Sequence, residues 1–293
     1  MNISGKTRVY GVIGDPIEHS LSPCFQNAAF RHYELDSVYV AFRVKKEDLK
    51  EAIQGVRSLG ICGLNVTMPH KVDVIPYLDG LDETAEKIGS VNTIANKNKR
   101  LIGYTTDGSG AVQSLIYRGI NPSGKKIVVL GAGGASRSVS LALAEHAKEL
   151  IILNRTLVKA ERLARELSNE TNAIVKAKEM NQKNARQELI DADILINATS
   201  LGMYPHEDMM PVDSSLLRAG LVVFDLVYEP LETRLLLEAK RKGAMTIDGL
   251  TMLVFQGAIS FEIWTGKKAP LEVMMKAAVD EITSRTNKKG WRV

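Results

Sequence analysis

Residues 125–137 read "KKIVVLGAGGASR". The apolar run stops at Leu130, and glycine occupies positions 131, 133 and 134 before a helix-forming stretch begins. A short apolar run bounded by glycine reads as a buried strand. Strand, glycine turn and helix in this order bring backbone amides to a helix N-terminus, where a pyrophosphate can be held, and a Cβ at the turn would block that approach. A complete G-x-G-x-x-G would place glycine at position 136, but the residue is Ser136. Taken alone, the turn fits either a dinucleotide site or a plain strand-to-helix connection.

Downstream, the same alternation continues. Helix 134–147 is followed by strand "ELIILN", helix 156–168, strands "ADILINAT" and "LVVFDLVY", helix 231–242 and strand "GAMTI". Apolar strands alternating with helices predict a parallel sheet covered on both faces, a doubly wound α/β domain. Upstream, the β-rich runs "RVYGVIG", "SVYVAFRV" and "ICGLNVT" alternate with helical stretches such as 45–58, where Leu49, Ile53 and Val56 share one face. "VNTIANKNKRLIGYTT" predicts a hairpin ending at Asp107, then a helix over 108–119, and "NPSGKK" at 121–126 is the best linker candidate. After Gly249 two helical segments, 249–264 and 270–285, could close the second domain or return to the first.

The chain of 293 residues, 45% hydrophobic and 25% charged, suits a soluble two-domain protein. A net charge of +4 with interleaved acids offers no basic stripe, so nucleic acid is not expected as a partner. The cationic end "NKKGWRV" reads as a solvated tail. Cys24 and Cys62 are too few and too far apart for a disulfide framework or a metal motif and read as buried thiols. With no secretory h-region and no long apolar run, a cytoplasmic protein with no membrane partner is expected.

The strand after the glycine turn ends in "LNRT". An NAD-preferring domain would carry an acid there to accept hydrogen bonds from the ribose 2′-hydroxyl. Instead Asn154 can hydrogen-bond, and Arg155 and Lys159 can pair with a 2′-phosphate, which predicts NADP. The plainer reading makes both cations solvated residues at a helix start.

In the first domain, polar residues stand at the ends of predicted strands. Ser20 and Ser22 in "HSLSP" turn the same way if extended, although Ser22, just before Pro23, also fits a helix cap. Asn92, Thr106 and Asp107 stand at the two ends of the hairpin. Lys71, at the close of "NVTMPHK", could exchange a proton with a substrate hydroxyl in company with Asp107; alone it would read as a surface lysine.

In order, "GDPIEHSLSP", "GLNVTMPHK", "GSVNT", "TTDG", "GAGGASR", "NRT", "NATSLGM", "DLVYEP" and "DGLTMLVFQG" span nearly the whole chain. Together they resemble the shikimate dehydrogenase family, which includes quinate-using members. The resemblance implies an N-terminal α/β substrate domain and a Rossmann-like NADP domain. It also implies reversible hydride transfer between NADPH and the C3 carbonyl of 3-dehydroshikimate, giving shikimate in aromatic amino-acid biosynthesis, without a metal.

By position, the resemblance makes Lys71 and Asp107 catalytic. Ser20, Ser22, Thr67, Lys71, Asn92, Asp107, Tyr228 and Gln256 would bind substrate, with Asn65 bracing them. Gly131, Ala132, Gly133, Gly134 and Ala135 would cradle the pyrophosphate; Asn154, Arg155, Thr156 and Lys159 the adenosine phosphate; and Leu226, Gly249 and Met203 the nicotinamide side. A substrate ligand at Gln256 implies that the last helices return to the first domain. The expected division is then 1–107 with 249–293 for substrate and 108–248 for NADP. Leu226 stands where methionine is common in the family, and Met68 and His70 occupy variable places; His70 is expected to point away from the chemistry. Two rivals remain at this level: a quinate/shikimate enzyme of mixed substrate or cofactor use, and a non-catalytic NADP-binding sensor. A monomer and a homodimer are equally compatible with the composition.

Overall fold

The structure, a computed structural model, describes residues 3–288; the rest of the cationic end, 289–293, lies outside the described residues. The chain divides into two compact units, residues 1–106 with 254–293, and residues 107–253. The chain crosses between units at Thr106–Asp107 and again within a continuous helix, Gly249–Thr265. These crossings differ by one and five residues from the expected 107/108 and 248/249, because Asp107 already opens a helix and the later crossing lies inside one. "NPSGKK" is not a linker: residues 121–126 lie inside the second unit, as the turn entering one of its strands.

In the first unit the elements run β1 (Arg8–Gly14), α1 (Ser22–His32), β2 (Ser37–Arg43), α2 (Leu49–Ser58), β3 (Gly63–Val66), β4 (Gly80–Leu81), α3 (Glu83–Ile88), β5 (Thr93–Lys97) and β6 (Arg100–Tyr104). They form a six-stranded sheet of order β2-β1-β3-β5-β6-β4. β1 pairs in parallel with β2 and β3, whereas β3, β5 and β6 pair antiparallel. Asn98 and Lys99, both with positive φ (54° and 67°), make the tight β5–β6 turn. Leu49, Ile53 and Val56 of α2 bury the expected helical stripe against Ile13, Leu64, Val66, Ile94 and Leu101. An aromatic cluster adds Tyr10, Phe30 and Trp264, with Tyr10 ring centroids 5.1 Å from Phe30 and 5.4 Å from Trp264. β2 is an edge strand. The side-chain amide of Asn27 on α1 donates to the Tyr39 carbonyl at 2.7 Å and accepts from the Tyr39 N–H at 2.9 Å.

The second unit runs α4 (Asp107–Tyr117), β7 (Lys126–Leu130), α5 (Gly134–Ala144), β8 (Glu149–Asn154), α6 (Leu157–Glu170), β9 (Ile174–Glu179), α7 (Gln182–Leu189), β10 (Ile194–Asn197), β11 (Val222–Asp225), α8 (Arg234–Arg241) and β12 (Met245–Ile247). The sheet is parallel throughout, in the order β12-β11-β10-β7-β8-β9. Counted from β7, this is the 3-2-1-4-5-6 order of doubly wound dinucleotide-binding domains. Val128, Leu130, Ile151, Leu153, Leu195 and Val223 form its central core. The chain ends in α9 (Gly249–Thr265) and α10 (Leu271–Lys288), and α10 packs along α1 in the first unit. Cys24 and Cys62 are free and half-buried, less enclosed than expected. Among the described residues, no helix is long and apolar enough to cross a membrane.

Candidate active site

In the first unit the polar candidates collect where β3 ends. Thr67 N–H donates to the Ile13 carbonyl at 2.9 Å, which carries the β3 pairing one residue further. Thr67, Met68, Pro69 and His70 then form a turn with a cis Met68–Pro69 bond, closed by His70 N–H donating to the Thr67 carbonyl at 3.0 Å. The Lys71 carbonyl accepts from Val91 N–H at 2.8 Å, so the backbone on both sides of Thr67 and Lys71 is fixed. Both side chains are half-buried. The His70 ring is fully buried and turned elsewhere, its Nε2 donating to the Val44 carbonyl at 2.7 Å.

Behind this turn lies a continuous buried polar chain. Asn65 Oδ1 accepts from the Tyr39 hydroxyl at 2.7 Å. Its Nδ2 reaches Ser260 Oγ at 2.9 Å and the Asn92 carbonyl and Thr93 Oγ1 at 3.1 Å each. Asn92 Oδ1 accepts from Thr106 N–H at 2.8 Å, and Asn92 Nδ2 donates to Gln256 Oε1 at 3.2 Å. Thr106 Oγ1 donates to the Gln256 carbonyl at 3.0 Å. Separately, at the start of α1, Ser22 N–H donates to Ser20 Oγ at 3.3 Å.

Four expected residues of this unit, Asn65, Asn92, Thr106 and Gln256, thus belong to one hydrogen-bonded system, while Ser20 and Ser22 form a separate pair. Burial pushes the Tyr39 phenol well above its usual range, so it stays neutral and donates to Asn65. The capping alternative for Ser22 fails: Ser22 is the first residue of α1, Leu21 precedes it as cap, and no side chain caps the helix. Tyr39 and Ser260 lie outside every quoted motif and escape a sequence reading, and Thr93, although it closes "GSVNT", is not singled out beside Asn92. Ser260 had one available signal, its four-residue spacing from Gln256 on α9, which puts both on one helix face.

In the second unit Asp107 is the first residue of α4 and is buried. The glycine turn stands at the carboxyl end of β7. Gly131 has φ of 104°, and a Cβ there would meet the Ala198 carbonyl at 3.0 Å. Gly133 and Gly134 face open space, and no side chain caps the N-terminus of α5. The position that departs from the glycine pattern has a local role, since buried Ser136 Oγ donates to the Gly131 carbonyl at 2.7 Å. At the end of β8, Asn154 Nδ2 donates to the Thr156 carbonyl at 2.8 Å. Arg155, Thr156 and Lys159 are exposed around the α6 N-terminus, which also lacks a side-chain cap. Exposed amides, an uncapped helix start and two cations with no acid in "LNRT" fit a pyrophosphate and a 2′-phosphate.

Toward β11, Leu226 N–H donates to the Asn197 carbonyl at 3.0 Å. Gly249 is buried, and a Cβ there would fall 2.5 Å from the Leu226 carbonyl oxygen. Met203 is partly exposed and Tyr228 half-buried in the segments after β10 and β11. The Asp225 carboxylate ends β11, fully buried, and burial pushes it up to about 6 against the hydrogen bonds it accepts.

Comparisons with known proteins agree with this architecture. Residues 12–94 match the family described as "Shikimate dehydrogenase substrate binding domain", residues 112–227 "Shikimate / quinate 5-dehydrogenase", and residues 249–279 "Shikimate 5'-dehydrogenase C-terminal domain". The shikimate dehydrogenase (NADP(+)) of Methanocaldococcus jannaschii is 48% identical over 282 residues, 96% of this chain and 99% of the relative. A crystal structure of shikimate dehydrogenase in complex with NADP+ superposes with a TM-score of 0.90 at 46% identity, covering 96% of this chain and 98% of the other. Shikimate 5-dehydrogenase from Thermus thermophilus, in complex with NADP(H) and shikimate, gives 0.85 at 36% identity, with 93% and 99% covered. With identity at this level along nearly the full length of both sequences, the chain belongs to the shikimate dehydrogenase family.

Proposed function

We propose that this protein is an NADP-dependent oxidoreductase that reversibly reduces 3-dehydroshikimate to shikimate. The observation that carries the proposal is the near-full-length identity of 48% to a curated NADP(+)-dependent shikimate dehydrogenase. When bound, NADPH supplies the hydride that reaches the C3 carbonyl carbon. Lys71 delivers the proton that the carbonyl oxygen takes up and recovers it in the reverse direction, and the Asp107 carboxylate orients the same hydroxyl. Ser20 and Ser22 hold the substrate carboxylate, while Thr67, Asn92 and Gln256 hold its hydroxyls and Tyr228 closes the same site. Asn65, whose oxygen and both amide hydrogens already have protein partners, braces these residues and does not bind.

Residues 1–107 with 249–293 serve the substrate and residues 108–248 serve NADP in this reading. Residues 131–135 hold the pyrophosphate and Asn154, Arg155, Thr156 and Lys159 the 2′-phosphate end, with Leu226, Gly249 and Met203 against the nicotinamide. The absence of an acid in "LNRT" and the two exposed cations there support NADP over NAD. The slight net charge of +4 supports a protein without a nucleic-acid partner, and a cytoplasmic location belongs to the same reading.

One assay tests this reading: near-ultraviolet absorbance of the reduced nicotinamide, followed with shikimate or quinate and with NADP or NAD. Shikimate with NADP should give the highest kcat/KM. A dominant quinate rate would move the protein to the quinate-using members of its family. No absorbance change with either substrate would favour a non-catalytic NADP sensor.

A further inference from the structure

Asp225 is a fully buried carboxylate that none of the roles above employs. Its Oδ1 accepts from Asn197 Nδ2 at 2.9 Å and from Val227 N–H at 3.1 Å, and its Oδ2 accepts from the Thr233 hydroxyl at 2.6 Å. The three donors come from three separate pieces of chain, the end of β10, the segment after β11 and the cap of α8. Each side-chain donor is itself tied onward. Asn197 Nδ2 also donates to the Leu201 carbonyl at 3.1 Å, and its Oδ1 accepts from Thr199 N–H at 3.1 Å and the Thr199 hydroxyl at 2.6 Å. Thr233 Oγ1 accepts from Leu236 N–H at 3.3 Å at the start of α8.

The segments tied in this way carry Met203, Leu226 and Tyr228. The first of them packs on the glycine turn, since the Ala198 carbonyl is the atom a Gly131 Cβ would meet. β7 and β10 are neighbours whose onward connections run to opposite sides of the sheet. In open α/β sheets a ligand binds outside the carboxyl ends of the strands at that switch point. All three partners of Asp225 are neutral, so the group is not half of an ion pair. Two carboxylate oxygens can accept from all three donors at once, whereas an amide has a single accepting oxygen.

We propose that Asp225 is a positioning residue for hydride transfer: through Asn197, Val227 and Thr233 it locks the segments after β10 and β11 into the wall that sets the nicotinamide ring. This rests on reading the second unit as the NADP site. Burial raises the acid only to about 6, so at neutral pH it is mainly ionised and accepts all three bonds.

The test uses Asp225→Ala in the full-length protein, with fold checked by circular dichroism. Affinities are measured by calorimetry for NADP+ and for adenosine 2′,5′-bisphosphate, which carries the 2′-phosphate end and lacks the nicotinamide. The expected result is kcat lower by about 10- to 100-fold, the cost of a misplaced reacting group, with KM for shikimate nearly unchanged. NADP+ should bind several-fold more weakly while the bisphosphate changes by less than about twofold, and Asp225→Asn should recover most of kcat, because its oxygen still serves Asn197 and Val227. Equal weakening of both ligands, or unchanged NADP+ affinity and kcat in Asp225→Ala, would overturn the proposal. Should Asp225→Ala fail to fold, Thr233→Val must produce the same split between ligands, and an even loss or no loss there overturns it. A wild-type protein inactive on shikimate would refute the substrate assignment, yet the contrast between the two ligands would still decide the role of Asp225.

Discussion

Asn65 and Ser260 stand 195 positions apart in the chain, and the amide of one donates to the hydroxyl of the other at 2.9 Å in a buried contact. One comes from a strand of the N-terminal part and the other from α9, so this bond and its neighbours join the discontinuous halves of the first unit. Asn65→Ala would leave the Tyr39 hydroxyl without its acceptor and remove three further bonds. A destabilisation of about 2–4 kcal/mol is expected, read as a lower urea midpoint, with Ser260→Ala costing about 1 kcal/mol because Asn65 keeps its other acceptors. Equal midpoints for Asn65→Ala and wild type would show that the network contributes nothing to holding the halves together.

Lys71→Ala should lower kcat by about two to four orders of magnitude, with a smaller change in KM, as expected for loss of a proton donor. Steady-state kinetics at saturating NADP measure this. Turnover near the wild-type rate would remove Lys71 from the chemistry.

Arg155→Ala should raise KM for NADP by about 10- to 100-fold, the worth of a charge-assisted bond to phosphate, and leave KM for NAD within about twofold. Lys159→Ala should do the same more weakly, since a lysine meets phosphate as a point charge. An equal effect on both cofactors would mean that these cations do not read the 2′-phosphate.

Asp225 predicts a pH signature in stability. Its folded value of about 6 lies above the ordinary carboxylate range, so between roughly pH 4 and 6 the folded state binds the proton more tightly than the unfolded chain. This acid therefore lowers stability as pH rises through that window, by up to about 3 kcal/mol, and the effect is complete above pH 6. Asp225→Asn cannot titrate, so its stability relative to wild type should improve from pH 4 to 7. Thermal unfolding of the pair at several pH values checks this. A constant difference between the two proteins would mean that the carboxylate is not held above its unfolded value.

The second unit was legible chiefly through strands whose residues are buried on both faces. β7, β8, β10 and β11 are apolar runs, and the doubly wound domain follows from them. β9 and α7 were not visible, because "IVKAKE" is an edge strand with lysine facing water and α7 is mostly polar. "NPSGKK" suggested a linker because proline, glycine and serine mark any turn. The crossing at Thr106–Asp107 had no such composition because both residues are buried.

In the site, residues at strand ends were legible one by one, since a polar side chain leaving an apolar run stands out. Their partners were not. Tyr39 and Ser260 look like ordinary strand and helix residues until the fold places them against Asn65, and Asp225 lies in a recognisable motif whose three donors only the tertiary structure reveals.

Asn27 holds both backbone groups of Tyr39 at the outer edge of β2, so the point where another chain would begin hydrogen bonding is already taken. That single amide closes the edge of the first sheet at Tyr39. A substitution there would register as concentration-dependent association before it registered in turnover, because what it releases is a template for adding strands. At this position the place of a neighbouring strand is taken by a side chain borrowed from a helix.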